Sequence, residues 1–338
     1  MAKTLKDYFP MIQTRKEVLE EIRNNKELWD IFDLWQEEQQ EEFLDFCTGA
    51  RGVKILYDSF FKEILSPEYH PERLETILSL LLKRKVKICQ ILPNDSVRIA
   101  DEQSLLITDM LVELEDGSLA NIEIQKLGYA FPGQRVACYS ADTLLRQYKR
   151  VKSERKKRFT YRDIKNVYTI VFFEKSTQEF HQLKEQYVHR SRQVFDTGLK
   201  LETLQEYILI PLDIFKESMH NKNIENELDA WLSFMAFDEL DRIIELIESY
   251  PKFKAMYEEV YEMCRNIERV MQMYSKELAE LDRNTVQYMI EEQEKMIKEL
   301  SEKLNQREEK LSEKDQQLNL QAAEIAALRK RLEELSQE

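Results

Sequence analysis

The chain has 338 residues, 43% of them hydrophobic and 34% charged, with a net charge of −14 and only 6 Gly. That balance points to a helix-rich soluble protein and argues against general affinity for nucleic acid. No apolar run approaches the roughly 20 residues of a membrane span.

The first residues lack an apolar secretory segment. Cys47, Cys89, Cys138 and Cys264 are scattered, with no CxxC or Cys/His pairing. The expectation is a cytoplasmic protein with reduced thiols and no zinc site. His181 and His189 sit in a polar stretch and are expected to be solvated.

Residues 1–65 carry apolar residues at helical spacing, including Leu28, Ile31, Phe32, Trp35, Phe43 and Phe46. Pro71 is expected in the first turn of a helix that buries Leu74, Ile77, Leu78 and Leu81. Strand signals follow in "KVKICQIL", in Leu105–Leu114 and in Leu119–Gln125. A helical pattern then recurs at Val136, Tyr139, Leu144, Leu145 and Tyr148. Val167–Phe173 and Tyr207–Phe215 read as apolar strands, and 222–264 as a helical pair.

The segment Arg146–Lys165 holds ten Lys/Arg against Glu154 and Asp163, with Tyr148, Phe159 and Tyr161 interleaved. In an acidic chain such an island is a candidate for phosphate contact, through Arg146, Lys149, Arg150, Lys156, Lys157 and Arg158. From about Gln287 onward, Ile or Leu returns every seventh residue from Ile290 to Leu332. Companion positions 300, 328 and 335 are Leu, while 307, 314 and 321 are Arg, Lys and Gln. This predicts a coiled coil with a weak middle, and a homodimer is the simplest assembly.

The segment Leu105–Gln125 places Asp109, Glu123 and Gln125 where strands are expected. A two-residue Asp-Gly turn would set Met110 against Glu123. A three-residue loop, Glu115-Asp116-Gly117, sets Met110 against Ile122 and aligns the apolar faces, with Gly117 at the left-handed position. Asp109 then lies across from Glu123, with Gln125 on the same face. Carboxylates about 5 Å apart on neighbouring strands repel unless a cation separates them. Hard oxygen ligands suit Mg²⁺, with Mn²⁺ as the alternative. An acidic, solvated sheet face is the other reading of the spacing.

An Asp followed fourteen residues later by Glu-x-Gln on the next strand resembles the PD-(D/E)XK nuclease superfamily, whose third motif residue is usually Lys. The wider run from Thr108 to Arg150 resembles the PD-(D/E)XK nuclease family transposases, relatives of the Rpn recombination-promoting nucleases. "RGVKILYDSFFKEIL", "KNVYTIVFFEKS" and "LQEYILIPLDIF" fit it too. The resemblance covers roughly residues 40–285.

It implies an α/β, restriction-endonuclease-like mixed sheet flanked by helices. With the rest of the chain this gives a helical extension (1–50), a nuclease-like core (51–220), a helical subdomain (221–285) and the coiled coil (286–338). Asp109 and Glu123 would bind the metal, with the Ile124 carbonyl as third ligand. Gln125 takes the lysine position beside the attacking water. Glu75, or Glu72 as the alternate, would support a metal water, and Arg135 and Tyr139 would face the site.

The implied activity is Mg²⁺-dependent DNA hydrolysis in recombination, mobile-element biology or defence. Gln125 carries no charge, which bears on rate rather than on the metal site. A catalytically weak nuclease fold that binds DNA and oligomerises is the alternative.

Overall fold

The computed structural model describes residues 4–93, 109–126 and 132–335, with part of the side chains from 283 onward. The expected strand residues Leu105, Leu106, Ile107 and Thr108 lie outside the described residues. So do the side chains of Leu328, Leu332 and Leu335. Two compact units are present, 1–285 and 286–338.

Four helices come first: α1 (Leu5–Tyr8), α2 (Arg15–Asn24), α3 (Lys26–Leu34) and α4 (Glu37–Cys47). Then follow α5 (Asp58–Ile64), α6 (Pro71–Leu82), β1 (Ile88–Ile91), β2 (Met110–Leu114), β3 (Leu119–Gln125) and α7 (Pro132–Arg155). Next are β4 (Val167–Phe173), α8 (Gln178–His181), β5 (His189–Arg192), β6 (Gln205–Pro211) and α9 (Leu212–Met219). The chain continues through α10 (Glu227–Ala236), α11 (Leu240–Ser249), α12 (Lys252–Cys264) and α13 (Ile267–Leu335).

Pro71 opens α6, where its missing N–H breaks no helical bond. The expected helical pair at 222–264 is three helices. Phe237 leaves helical geometry after α10, and Pro251 separates α11 from α12.

The strands form one sheet in the order β1-β2-β3-β4-β6-β5. β1, β2 and β3 pair antiparallel; β3, β4 and β6 pair parallel, with α7 in the crossover between β3 and β4; β5 returns antiparallel to β6.

The β2–β3 hairpin has the three-residue loop that matches its apolar faces. Met110 pairs with Ile122 and Val112 with Ala120. Leu114 N donates to the Ser118 carbonyl at 2.8 Å, and Gly117 takes φ +82°, which L side chains rarely adopt.

Alternation then sorts the sheet into two faces. Val112, Ala120, Ile122, Ile170, Phe172 and Ile210 join the main core. That core also takes in Leu5 and Phe9, Phe61 of α5, Leu78 of α6, Trp231 of α10 and Tyr274 of α13. The N-terminal helices therefore share one core with the sheet.

The other face lies under α7 and is mixed. Leu111, Leu119 and Val167 form one small apolar group, and Val136, Val171, Phe173 and Ile214 form another. Asn121, Glu123, Gln125 and Thr169 are buried on the same face.

The helix answers in kind. Its buried residues include Ser140, Asp142, Thr143 and Gln147, while Leu145, expected in the apolar stripe, is 49% exposed. Gln147 donates to the Gly117 carbonyl (3.2 Å) and accepts from Lys165 N (2.9 Å); Ser140 Oγ accepts from Gln205 (2.9 Å). These bonds satisfy buried polar groups of α7 through the hairpin turn, the approach to β4 and β6.

Candidate active site

The hairpin register sets Asp109 one step beyond the Met110–Ile122 pair, across from Glu123. Asp109 Oδ2 accepts a hydrogen bond from Ile124 N at 2.7 Å. The Gln125 carbonyl accepts from Glu174 N on the β4 side at 2.8 Å. Strand alternation therefore turns both the N–H and the carbonyl of Ile124 the other way, toward Asp109. Two carboxylates and a backbone carbonyl converge on one end of β3.

The acidic face is not solvated. Glu123 and Gln125 are each 4% exposed. Burial raises the Asp109 carboxyl to about 6 against the relief given by Lys62. Burial, then the neighbouring Asp109 charge, raises Glu123 well above the carboxylate range. Asn121 donates to Glu123 Oε1 at 3.0 Å. Both atoms of the Gln125 side-chain amide are buried without a hydrogen-bond partner among the described residues.

Helix α5 supplies two groups that the sequence reading did not pick out. Lys62 Nζ lies 2.6 Å from Asp58 Oδ1 and 3.4 Å from Asp109 Oδ1. Asp58 raises the Asp109 carboxyl further, so three acids and one lysine share this corner. Asp58 and Lys62 are spaced i,i+4, which puts both on one helical face. That spacing was the available signal.

Glu75 does not join them. It is held by Lys87 Nζ at 2.5 Å and by Ile88 N at 3.0 Å, at the edge strand β1. Glu72 is exposed and bonds His70. The acid from a preceding helix that reaches Asp109 is Asp58 instead.

The N-terminal part of α7 covers the site. Arg135 Nη2 donates to the Tyr139 hydroxyl at 3.3 Å, and its charge lowers the Glu123 carboxyl in part. Burial, with the Glu123 charge, pushes the Tyr139 phenol up to about 12. Lys126, next to Gln125, faces the core side. It pairs with Glu277, sits 5.2 Å over the Tyr57 ring, and burial lowers it to about 8.

The basic segment divides. Arg150 grips Glu113 with both terminal nitrogens (2.5 and 2.8 Å). Arg146 pairs with the buried Asp142 at 2.7 Å. These two cations are neutralised within the chain, whereas Lys149, Lys156, Lys157 and Arg158 are exposed. His181 and His189 both make contacts within the chain. His189 packs on Phe180 (5.3 Å), and His181 Nε2 lies 3.2 Å from Asp213 Oδ2 and 3.3 Å from Ser176 Oγ. Ser176 and Asp213 meet the same ring nitrogen, so this trio lacks the two-nitrogen relay of a serine nucleophile.

The family model for PD-(D/E)XK nuclease family transposases matches residues 55–292. The chain belongs to this family. Neither the curated proteins nor the solved structures yield a match. The mixed six-strand sheet flanked by helices is the restriction-endonuclease-like α/β fold of the PD-(D/E)XK nucleases. Membership supports a nuclease- or transposase-type function. No helix among the described residues is long and apolar enough to cross a membrane.

The family generally uses divalent metals such as Mg²⁺. Among the described residues, no three His, Cys, Asp or Glu side chains form a ready metal cluster. The donor set still fits a hard cation. Two mutually repelling buried carboxylates and a strand carbonyl are what Mg²⁺ takes when it keeps several waters. The unpartnered Gln125 amide suits a water or phosphate oxygen at the same point.

Proposed function

We propose that the chain is a divalent-metal-dependent DNA endonuclease that hydrolyses phosphodiester bonds. The observation that carries this reading is the facing of Asp109 and Glu123 across the hairpin, two buried carboxylates of which the first raises the second's affinity for a proton, beside the Ile124 backbone. Asp109, Glu123 and the Ile124 carbonyl would hold Mg²⁺ or Mn²⁺. A bound ion would neutralise a phosphate oxygen and lower the pKa of a water.

The chain's own residues do the rest. Gln125 orients the attacking water through its amide but carries no charge. Lys62 is the cation beside Asp109, and it supplies the positive charge that a lysine at position 125 would bring. Arg135 and Tyr139 meet the scissile phosphate from α7. Lys149, Lys156, Lys157 and Arg158 contact the DNA backbone further along.

The helix beyond Thr285 supports a homodimer. Ile297, Leu304, Leu311 and Leu318, one per heptad, are each about 60% exposed in the single chain. Two joined copies would bring two active sites to the two strands of a duplex. Recombination, mobile-element biology and defence are the settings in which such a cut would serve.

Plasmid nicking that depends on Mg²⁺ and disappears in Asp109→Ala tests the reading. The second reading is a DNA-binding, oligomerising module with a silent site, favoured by Gln125 in place of Lys. Metal binding and DNA binding without any cleavage would select it.

A further inference from the structure

The basic segment after the middle of α7 carries rings as well as charge. Tyr148 lies on α7, Phe159 in the connection that follows, and Tyr161 begins the 3₁₀ turn Tyr161–Asp163. The Tyr148 and Tyr161 rings are nearly parallel, at 14° with centroids 6.2 Å apart. Phe159 stands edge-on to both, 5.5 Å from each. Tyr161 is 77% exposed. An aromatic side chain normally buries most of its area, so folding alone gives no reason to display this one.

Basic side chains outnumber the two acids of the segment, Glu154 and Asp163, around the rings. Lys152 donates to the Tyr148 hydroxyl at 2.7 Å and sits 5.0 Å over its ring. Lys149, Lys156, Lys157, Arg158 and Arg162 are exposed. Among the described residues no carboxylate pairs with these five. The one nearby exception is Arg155, which approaches Asp163 at 3.5 Å. In a chain of net charge −14, an uncompensated basic patch around an open ring face calls for a flat, anionic partner.

We infer that this cluster is a stacking platform for an unpaired DNA strand. The inference names the substrate class and rests on the nuclease reading for its place in the reaction; the binding itself does not. A duplex already stacks its bases on one another and would meet only the cations. An unpaired strand offers phosphates to the lysines and a free base to Tyr161, and base-on-ring stacking tolerates any sequence. Tyr148 is nine residues beyond Tyr139, about 14 Å along the helix axis at 1.5 Å per residue. The platform is therefore separate from the groups around Glu123, on the same rigid element.

The test compares a fluorescent oligothymidylate with a duplex of equal length, bound to the full-length protein in EDTA so that nothing is cut. The single strand is expected to bind more tightly. Tyr161→Ala should weaken single-strand binding roughly ten-fold, the usual loss for one stacked base, with duplex binding unchanged. Tyr161→Trp should keep the affinity. The slope of log affinity against log salt should stay the same in both tyrosine variants, since no phosphate contact is lost. Reversing Lys156, Lys157 and Arg158 should flatten that slope for both ligands.

Equal losses for single strand and duplex, or no loss in Tyr161→Ala, would overturn the inference. The two readings fail separately. Ring-dependent single-strand binding without any Mg²⁺-dependent cutting leaves the platform standing and removes the endonuclease. Cutting with ring-independent binding does the reverse.

Discussion

The two faces of the central sheet are built by the same strands and differ by one residue in phase. On one face Val112, Ala120, Ile122, Ile170 and Phe172 meet the main core and need nothing but shape. On the other, Asn121, Glu123, Gln125 and Thr169 are equally buried, yet burial raises the Glu123 carboxyl and Gln125 has no hydrogen-bond partner among the described residues. The first face carries the larger apolar core. The second combines two small apolar groups with buried polar chemistry, which is the expected signature of a working site.

The sharpest way to break that contrast is one substitution on each face. Asp109→Ala is expected to lower metal-dependent cleavage roughly a thousand-fold or more, as removal of a metal's several kcal/mol of stabilisation implies. Its thermal midpoint should hold or rise. Ile122→Ala, one strand away and opposite in direction, should cost about 2–5 kcal/mol of stability and leave cleavage per folded molecule intact. Nicking assays paired with denaturant melts check both. A destabilised Asp109→Ala with normal cutting would reverse the assignment of the faces.

Lys62 comes next in size. Removing a charge that acts on the developing phosphate typically loses roughly a hundred-fold in rate. Lys62→Met should show that loss while Mn²⁺ binding, read by calorimetry, persists. Gln125→Lys in the same chain should return part of the rate by restoring charge at the motif position. If Lys62→Met abolishes metal binding as well, the lysine is a structural support of Asp109 instead.

A smaller effect concerns pH. A carboxyl whose pKa is raised in the fold holds its proton more tightly folded than unfolded. Its contribution to stability is full below the unfolded value and is lost as pH rises through the folded one. For Asp109 that window runs from its ordinary 3.8 to about 6, and Glu123 shifts in the same direction. The metal-free protein should lose on the order of 1–3 kcal/mol across this window, at 1.36 kcal/mol per unit. Glu123→Gln keeps an acceptor for Asn121, removes the repulsion, and should flatten the dependence. Melts at pH 4 and pH 7 in EDTA measure it. A metal-free protein equally stable at both would mean that the two carboxylates are balanced by something else.

The hairpin was legible because two constraints met there. Period-two alternation fixed which residues share a face, and only one loop length aligned those faces with Gly117 at the tip. Nothing comparable fixed α5 against β2. Asp58 and Lys62 announce a polar helical face, but which strand it meets depends on packing across some fifty residues of sequence. Glu75 lies on a preceding helix, as the family resemblance implies, but Lys87 and Ile88 claim it.

The apolar stripe expected on α7 is met at Val136 and Tyr139 but not at Leu145, for a related reason. Hydrophobic periodicity assumes an apolar partner, and this helix lies on a polar one. So Thr143 and Gln147 are inside and Leu145 is out. β5, "HRSR", had no apolar signal at all; β6 beside it supplies the pairing.

The helix beyond Thr285 extends the comparison to a third surface, one that is apolar and uncovered within the chain. Ile290, Ile297, Leu304, Leu311, Leu318 and Ile325 are all exposed at seven-residue intervals. Arg307 and Lys314 interrupt the companion row, so the expected pairing is marginal and depends on concentration. A parallel dimer is the simplest arrangement. Sedimentation at micromolar concentration should find a dimer. Truncation after Thr285 should give a monomer with the same melting of unit 1–285 and the same metal affinity. Nicking should survive and double-strand cutting should fall, because the second strand must then wait for a second encounter. A full-length chain that stays monomeric at these concentrations would remove the dimer and leave the seam for a different protein.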